Sequence, residues 1–155
     1  MKRAILAVFM LLLSVGAFAQ ADEFRNVVDF SMSTRDLVEI VRDQRYDLID
    51  PAKYYVLTGS VASTLILDPA PDSFSALIEL VAGEWVGLDS IEVYRVYVLL
   101  EGPQYATRVL ERLPRNPGPE VILPNSDLLL VAQFLGETEW EDGSFIPVVA
   151  AIDIR

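Results

Sequence analysis

Two alternating runs put side chains of mixed character on one parity: Leu77, Glu79, Val81 and Trp85 in Phe74 to Val86, and Val93, Arg95, Tyr97 and Leu99 in Ile91 to Leu100. If both runs are strands, every second residue shares a face, and these side chains form one surface. Its chemistry is recognition: rings supply contact area, and a guanidinium grips a carboxylate through two hydrogen bonds. Glu79, Trp85, Arg95 and Tyr97 are the candidate ligand- or partner-binding residues. Trp140 is a fifth, because its ring, set in an acidic connection, can stack on a sugar or cover the end of the fold. The competing expectation is that a preceding helix packs an apolar stripe over this face, since so large an exposed patch is unusual on a monomer.

Catalysis and metal binding find little support. The 155 residues include no Cys and no His, which removes thiolate and imidazole catalysis, structural zinc, and haem or iron–sulfur ligation. Hard-cation binding and carboxylate chemistry remain. Glu137, Glu139, Glu141 and Asp142 crowd around Trp140, but their spacing matches no calcium loop, and a solvated hairpin tip that discourages edge pairing fits better. Glycoside hydrolysis needs two carboxylates at a set separation, and neither Glu79 with Glu101 nor another pair declares it. No serine has a base beside it, and Lys53 stands in no Ser–Lys motif. The sequence therefore predicts no enzyme, no catalytic or metal residue and no cofactor.

The charge balance is Lys+Arg 12 against Asp+Glu 23, a net −11. Phosphate backbones are repelled by such a balance, and no clustered run of Lys and Arg supplies a basic stripe. No nucleic-acid partner is expected from it.

Lys2 and Arg3 precede an apolar run from Ala4 to Val15, and Ala17-Phe18-Ala19 follows with small residues where a signal peptidase reads them. The run is shorter than the roughly 20 residues a helix needs to cross a bilayer. Residues 1–19 thus read as a signal peptide cleaved after Ala19 or Ala21, which places the product in the periplasm or outside the cell. Removing Lys2 and Arg3 takes the net charge from −11 to −13, since every acid lies further on. No later segment is long and apolar enough to span a membrane as a helix, and no cysteine is available for a lipid anchor.

The elements that position the candidate residues follow from spacing. Residues 20–32 read as a mobile leader whose Phe24, Val27, Val28 and Phe30 can add a strand edge or dock later. Residues 33–155 read as one domain. Ser33 or Thr34 caps a helix with Leu37, Ile40 and Val41 on one side. Five β-type runs follow: Tyr54 to Leu67, broken by Gly59; Phe74 to Val86; Ile91 to Leu100; Leu128 to Leu135; and Phe145 to Ile152. A second helix is expected over Pro103 to Leu113, where Tyr105, Val109 and Leu113 keep helical spacing.

Strand–strand–strand–helix–strand–strand is the order of the five-stranded Greek-key OB-fold barrel, and a long first strand bent at a glycine lets one strand serve both sides of it. The expected class is mainly β: an OB-fold-like barrel with a leading helix and a helix between strands three and four. Thr34-Arg35-Asp36-Leu37-Val38, then Tyr54-Tyr55-Val56-Leu57-Thr58-Gly59-Ser60-Val61, and later Ser126-Asp127-Leu128-Leu129-Leu130-Val131 resemble the exported OB-fold proteins of the tRNA_anti-like type. The family's name implies nucleic acid; the acidic balance argues the other way. The sequence-based expectation is an exported, non-catalytic OB-fold binding module of the cell envelope that recognises a protein or carbohydrate partner. A structural or accessory envelope protein is the alternative, and a carboxylate-dependent hydrolase a lesser one. Oligomeric state is left open.

Overall fold

The computed structural model describes residues 27–155; the signal expected over residues 1–19 and the leader as far as residue 26 lie outside them. The elements are β1 (Val28–Asp29), α1 (Thr34–Arg42), β2 (Tyr54–Asp68), β3 (Ser75–Val86), β4 (Ser90–Glu101), β5 (Asp127–Glu139) and β6 (Phe145–Ile154). β2 pairs antiparallel with both β3 and β5, β3 with β4, and β5 with β6, while β4 and β6 run parallel over Tyr97 to Leu99. The circuit closes into the five-stranded OB-fold barrel expected from element order. β1 adds a short parallel strand to β2, Val28 opposite Tyr54.

Closure depends on β2 changing partner midway. Tyr54 to Ser60 pair with β5, and Ser60 to Asp68 pair with β3. Gly59 stands at the changeover, where a Cβ would sit 2.7 Å from the Val81 carbonyl oxygen and 2.9 Å from Leu80 Cγ. Two backbones approach more closely there than any side chain allows. The register slips fall beyond it, between Val61 and Ser63 and between Ile66 and Asp68.

The core follows the alternation. Phe74, Ala76, Ile78 and Leu80 of the β3 segment and Tyr94, Val96, Val98 and Leu100 of β4 are buried, so the opposite parity faces outward. Alternation predicts Ile146, Val148, Ala150 and Ile152 inward in β6; Ile146 and Val149 are buried, whereas Val148 is partly exposed and Ile152 exposed. The physical reason is a pair of register slips against β5, between Val131 and Ala132 and between Phe134 and Gly136; an extra residue in a strand exchanges its two faces. β5 also runs on to Glu139, so the acidic connection is partly strand and its turn is shorter than expected.

Ser33 closes the N-terminus of α1 with a capping box. Its hydroxyl accepts from the Asp36 N–H at 3.1 Å, and Asp36 Oδ2 accepts from the Ser33 N–H at 2.9 Å. Thr34 Oγ1 donates to the Thr58 carbonyl at 2.8 Å, fixing the helix to β2 beside Gly59. Leu37, Ile40 and Val41 then enter the core. The helix packs against β6, β4 and β2 and puts its apolar stripe into the core at one end of the barrel, so the stripe does not cover the outer face of β3 and β4.

The second helix needs correcting. Pro103 to Leu113 forms only a 3-10 turn at Pro103–Tyr105, with hydrogen bonds from the Arg108 and Val109 N–H groups to the Tyr105 carbonyl continuing it briefly. Tyr105, Val109 and Ile122 are buried in the core, so the helical spacing marked residues that a looped connection buries one at a time. Pro114, with Pro117 and Pro119 beyond it, prevents propagation.

Candidate functional site

The β3–β4 pairing sets Glu79 opposite Tyr97 and Val81 opposite Arg95 on the outward parity. Arg95 Nε lies 3.2 Å from Glu79 Oε1, and Glu79 Oε2 accepts from Ser63 Oγ at 3.0 Å. The carboxylate is thereby tied down from both sides, and the guanidinium is held against the sheet.

Trp140 comes from the opposite side. The turn between β5 and β6 is locked by the Trp140 N–H donating to the Ser144 carbonyl at 2.7 Å and the Gly143 N–H donating to the Trp140 carbonyl at 2.9 Å. Gly143 takes φ +82° there, a conformation that favours glycine. Asp142 Oδ1 accepts from both the N–H and the hydroxyl of Ser144, and these bonds hold its carboxyl below the ordinary range. The turn lays the indole over β4: the Tyr97 and Trp140 ring centroids are 6.1 Å apart at 42°, and Arg95 Cζ is 5.6 Å from the Trp140 centroid. Tyr97 has its hydroxyl pKa raised, first by burial and then by the charge of Glu79.

Beside Trp140 a cleft of about 280 Å³ opens towards α1, with Val38, Arg42, Val93, Arg95 and Phe145 among its walls. Glu92 and Asp142 also line it; the Tyr94 hydroxyl donates to Glu92 and Ser144 donates to Asp142. Arg42 was not legible as a site residue, because only the docking of α1 against β4 and β6 carries it here. Two carboxylates thus share the cleft, but Asp142 is shifted in the direction opposite to that a general acid needs.

Four of the five expected residues, Glu79, Arg95, Tyr97 and Trp140, form one cluster. Trp85 does not join it. It pairs with Ile91 near the tip of the β3–β4 hairpin and is 70% exposed, because alternation assigns a face but not the point at which the barrel stops. The acidic group around Trp140 also disperses: Glu137 accepts from the Tyr46 hydroxyl while Asp142 serves Ser144. Among the described residues no group of three or more carboxylates is placed to hold one ion.

No protein-family model and no curated protein sequence matches the chain. Solved structures do. PriB from Ralstonia solanacearum aligns at 9% identity and TM-score 0.40, covering 66% of this chain and 94% of that one. A small single-stranded DNA-binding protein from Mycoplasma pneumoniae aligns at 7% and 0.40, covering 66% and 90%. Rim1, a mitochondrial single-stranded DNA-binding protein from S. cerevisiae, aligns at 11% and 0.40, covering 66% and 92%. With single-stranded DNA-binding proteins among the structures similar to this chain, two expectations are corrected: that the partner is a protein or carbohydrate, and that nucleic acid is not one. Net charge describes the whole surface, whereas a ligand meets one face, so the acidic balance does not by itself exclude nucleic acid from a face that presents two rings and a guanidinium.

Proposed function

We propose that the domain binds a short segment of single-stranded nucleic acid on the Tyr97–Trp140 platform, with bases against the rings and Arg95 and Arg42 beside the backbone. The observation that carries this reading is the half-buried pair of rings with Arg95 set over the indole, held by a hydrogen-bonded turn on one side and a sheet ion pair on the other. Every base has a π-face, so such a platform accepts single strands with little sequence preference, each stacked base contributing about 1–3 kcal/mol. A duplex keeps its bases stacked on each other and has none to offer.

The acidic surface shapes the mode of binding. With Arg42 and Arg95 as the cations lining the cleft, at most about two phosphates are neutralised, and the slope of log affinity against log salt for a single strand is then about −1.4. Stacking must supply the rest. The role is binding without catalysis, since Glu79, the platform's own carboxylate, is engaged by Arg95 and Ser63. The same proposal takes residues 1–19 as an export signal and the resemblance to exported tRNA_anti-like OB-fold proteins as kinship, so that the ligand is met outside the cytoplasm.

The test is fluorescence anisotropy with a labelled oligothymidylate of about 10 nucleotides, a length within the span of one OB-fold. Trp140→Ala and Tyr97→Ala are expected to weaken binding about 10-fold each, and the matching duplex to bind more weakly than the single strand. Equal affinity for wild type and both variants, or no binding by wild type, overturns the reading.

A further inference from the structure

The β3–β4 hairpin outruns the barrel. β2 pairs with β3 no further than Val81, and β6 pairs with β4 only over Tyr97 to Leu99, yet the β3–β4 ladder continues to Val86 opposite Ser90. The last residues of β3 and the first of β4 thus project as a two-stranded ribbon, an element that is marginal by itself in water.

Its two faces differ in kind. Opposed residues share a face, so Glu84 and Glu92 lie together, beside Ala82 and Tyr94, on the face turned to α1. There Arg35 pairs with Glu84 at 2.7 Å and stands over the Tyr94 ring, and the Tyr94 hydroxyl donates to Glu92. The other face carries Val81, Gly83, Trp85, Ile91 and Val93, with no charged side chain until Arg95. Trp85 is 70% exposed, Ile91 54% and Val93 48%, and Leu88 at the tip is fully exposed.

We propose that this face is the interface between two copies of the chain, packed face to face about a two-fold axis. Charge selects the occupant. A chain with 23 acids and 12 bases repels itself over most of its surface, and a patch with no carboxylate lets two copies meet without bringing their charges together. Area agrees: the exposed apolar surface of Trp85, Leu88, Ile91 and Val93 is on the order of 500 Å². Doubled across a two-fold axis it reaches the roughly 1,000 Å² that a specific interface needs. The dimer is therefore of modest affinity, and of the interface residues only Val93 also lines the cleft beside Trp140.

The experiment is sedimentation velocity on the exported domain, without oligonucleotide, from about 1 to 200 μM. Wild type is expected to shift from monomer towards dimer over that range. Trp85→Glu and Leu88→Glu should stay monomeric with unchanged circular dichroism and melting temperature, and the full exposure of Leu88 ensures that its variant folds. Trp140→Ala should dimerise as wild type does, which separates this interface from the proposed ligand site. A wild type that is monomeric throughout, or Leu88→Glu and Trp85→Glu proteins that still dimerise, overturns the proposal. So does a monomer whose Trp85 emission shifts to the blue on phosphatidylcholine vesicles, which would assign the face to lipid.

Discussion

Replacing Gly59 by alanine measures how far the barrel's closure rests on one missing side chain. The new Cβ would lie 2.7 Å from the Val81 carbonyl oxygen and 2.9 Å from Leu80 Cγ. The first of these is backbone in a central strand and cannot swing aside, so β2 and β3 must part at the residue where β2 leaves one neighbour for the other. Overpacking of this kind costs about 1–3 kcal/mol, offset by about 0.4–1 kcal/mol from the stiffer unfolded chain. A net loss of about 1–2 kcal/mol follows, seen in urea as a midpoint lower by about 1 M with an unchanged m value and in heating as a Tm lower by about 4–8 °C. Gly83→Ala is the control. Its Cβ meets Ile91 Cγ2 at 3.4 Å, an ordinary contact, and stability should stay within about 0.5 kcal/mol of wild type. A Gly59→Ala protein as stable as wild type, or a Gly83→Ala protein equally destabilised, would refute the idea that close backbone approach fixes the changeover.

Removing the helix cap by Ser33→Ala should cost about 1 kcal/mol in urea unfolding. The Ser33 hydrogen bonds lower the Asp36 pKa, so its contribution is present above the unfolded carboxyl value and disappears as pH falls through the lower folded value; Asp36→Asn should flatten the acid limb of a stability–pH curve. Tyr55 is buried, its hydroxyl accepting from the Asp50 N–H at 2.8 Å and donating to the Asp50 carbonyl at 2.9 Å. Tyr55→Phe leaves both groups unmatched and should cost about 1–3 kcal/mol. Burial raises the pKa of that hydroxyl, so its stabilisation is full below the unfolded tyrosine value and is lost as pH rises through the folded one. Urea midpoints from neutral to strongly alkaline pH should therefore fall less steeply in Tyr55→Phe than in wild type.

What was legible in the sequence follows from how many neighbours each residue answers to. The β3 and β4 alternation was readable because both strands bury one face and are joined by a tight hairpin, and it placed Glu79, Arg95 and Tyr97 side by side. β6 was misread in parity because two slips against β5 exchange its faces, and a slip leaves no mark in the hydrophobic pattern. The spacing of Tyr105 and Val109 signalled burial correctly and helix wrongly, since a looped chain can also bury residues four apart. Trp140 was identifiable as a ring in an acidic turn, but its seat against Tyr97 depends on the hydrogen bonds Trp140 makes with Ser144 and Gly143. Arg42 had no local signal, because the docking of a helix on distant strands alone brings it to the cleft.

Contact between Trp140 and a single-stranded nucleic acid is the step on which the proposed binding mode depends. The chain has two tryptophans, so Trp85→Phe leaves Trp140 as the only indole, and its emission can be followed while an unlabelled oligothymidylate is added at several salt concentrations. Saturable quenching is expected, with a log–log salt slope of about −1.4 or shallower. Trp140 emission that stays constant up to about 1 mM oligonucleotide would contradict it. So would a salt slope steeper than about −3, which would place the contacts on more cations than line this cleft.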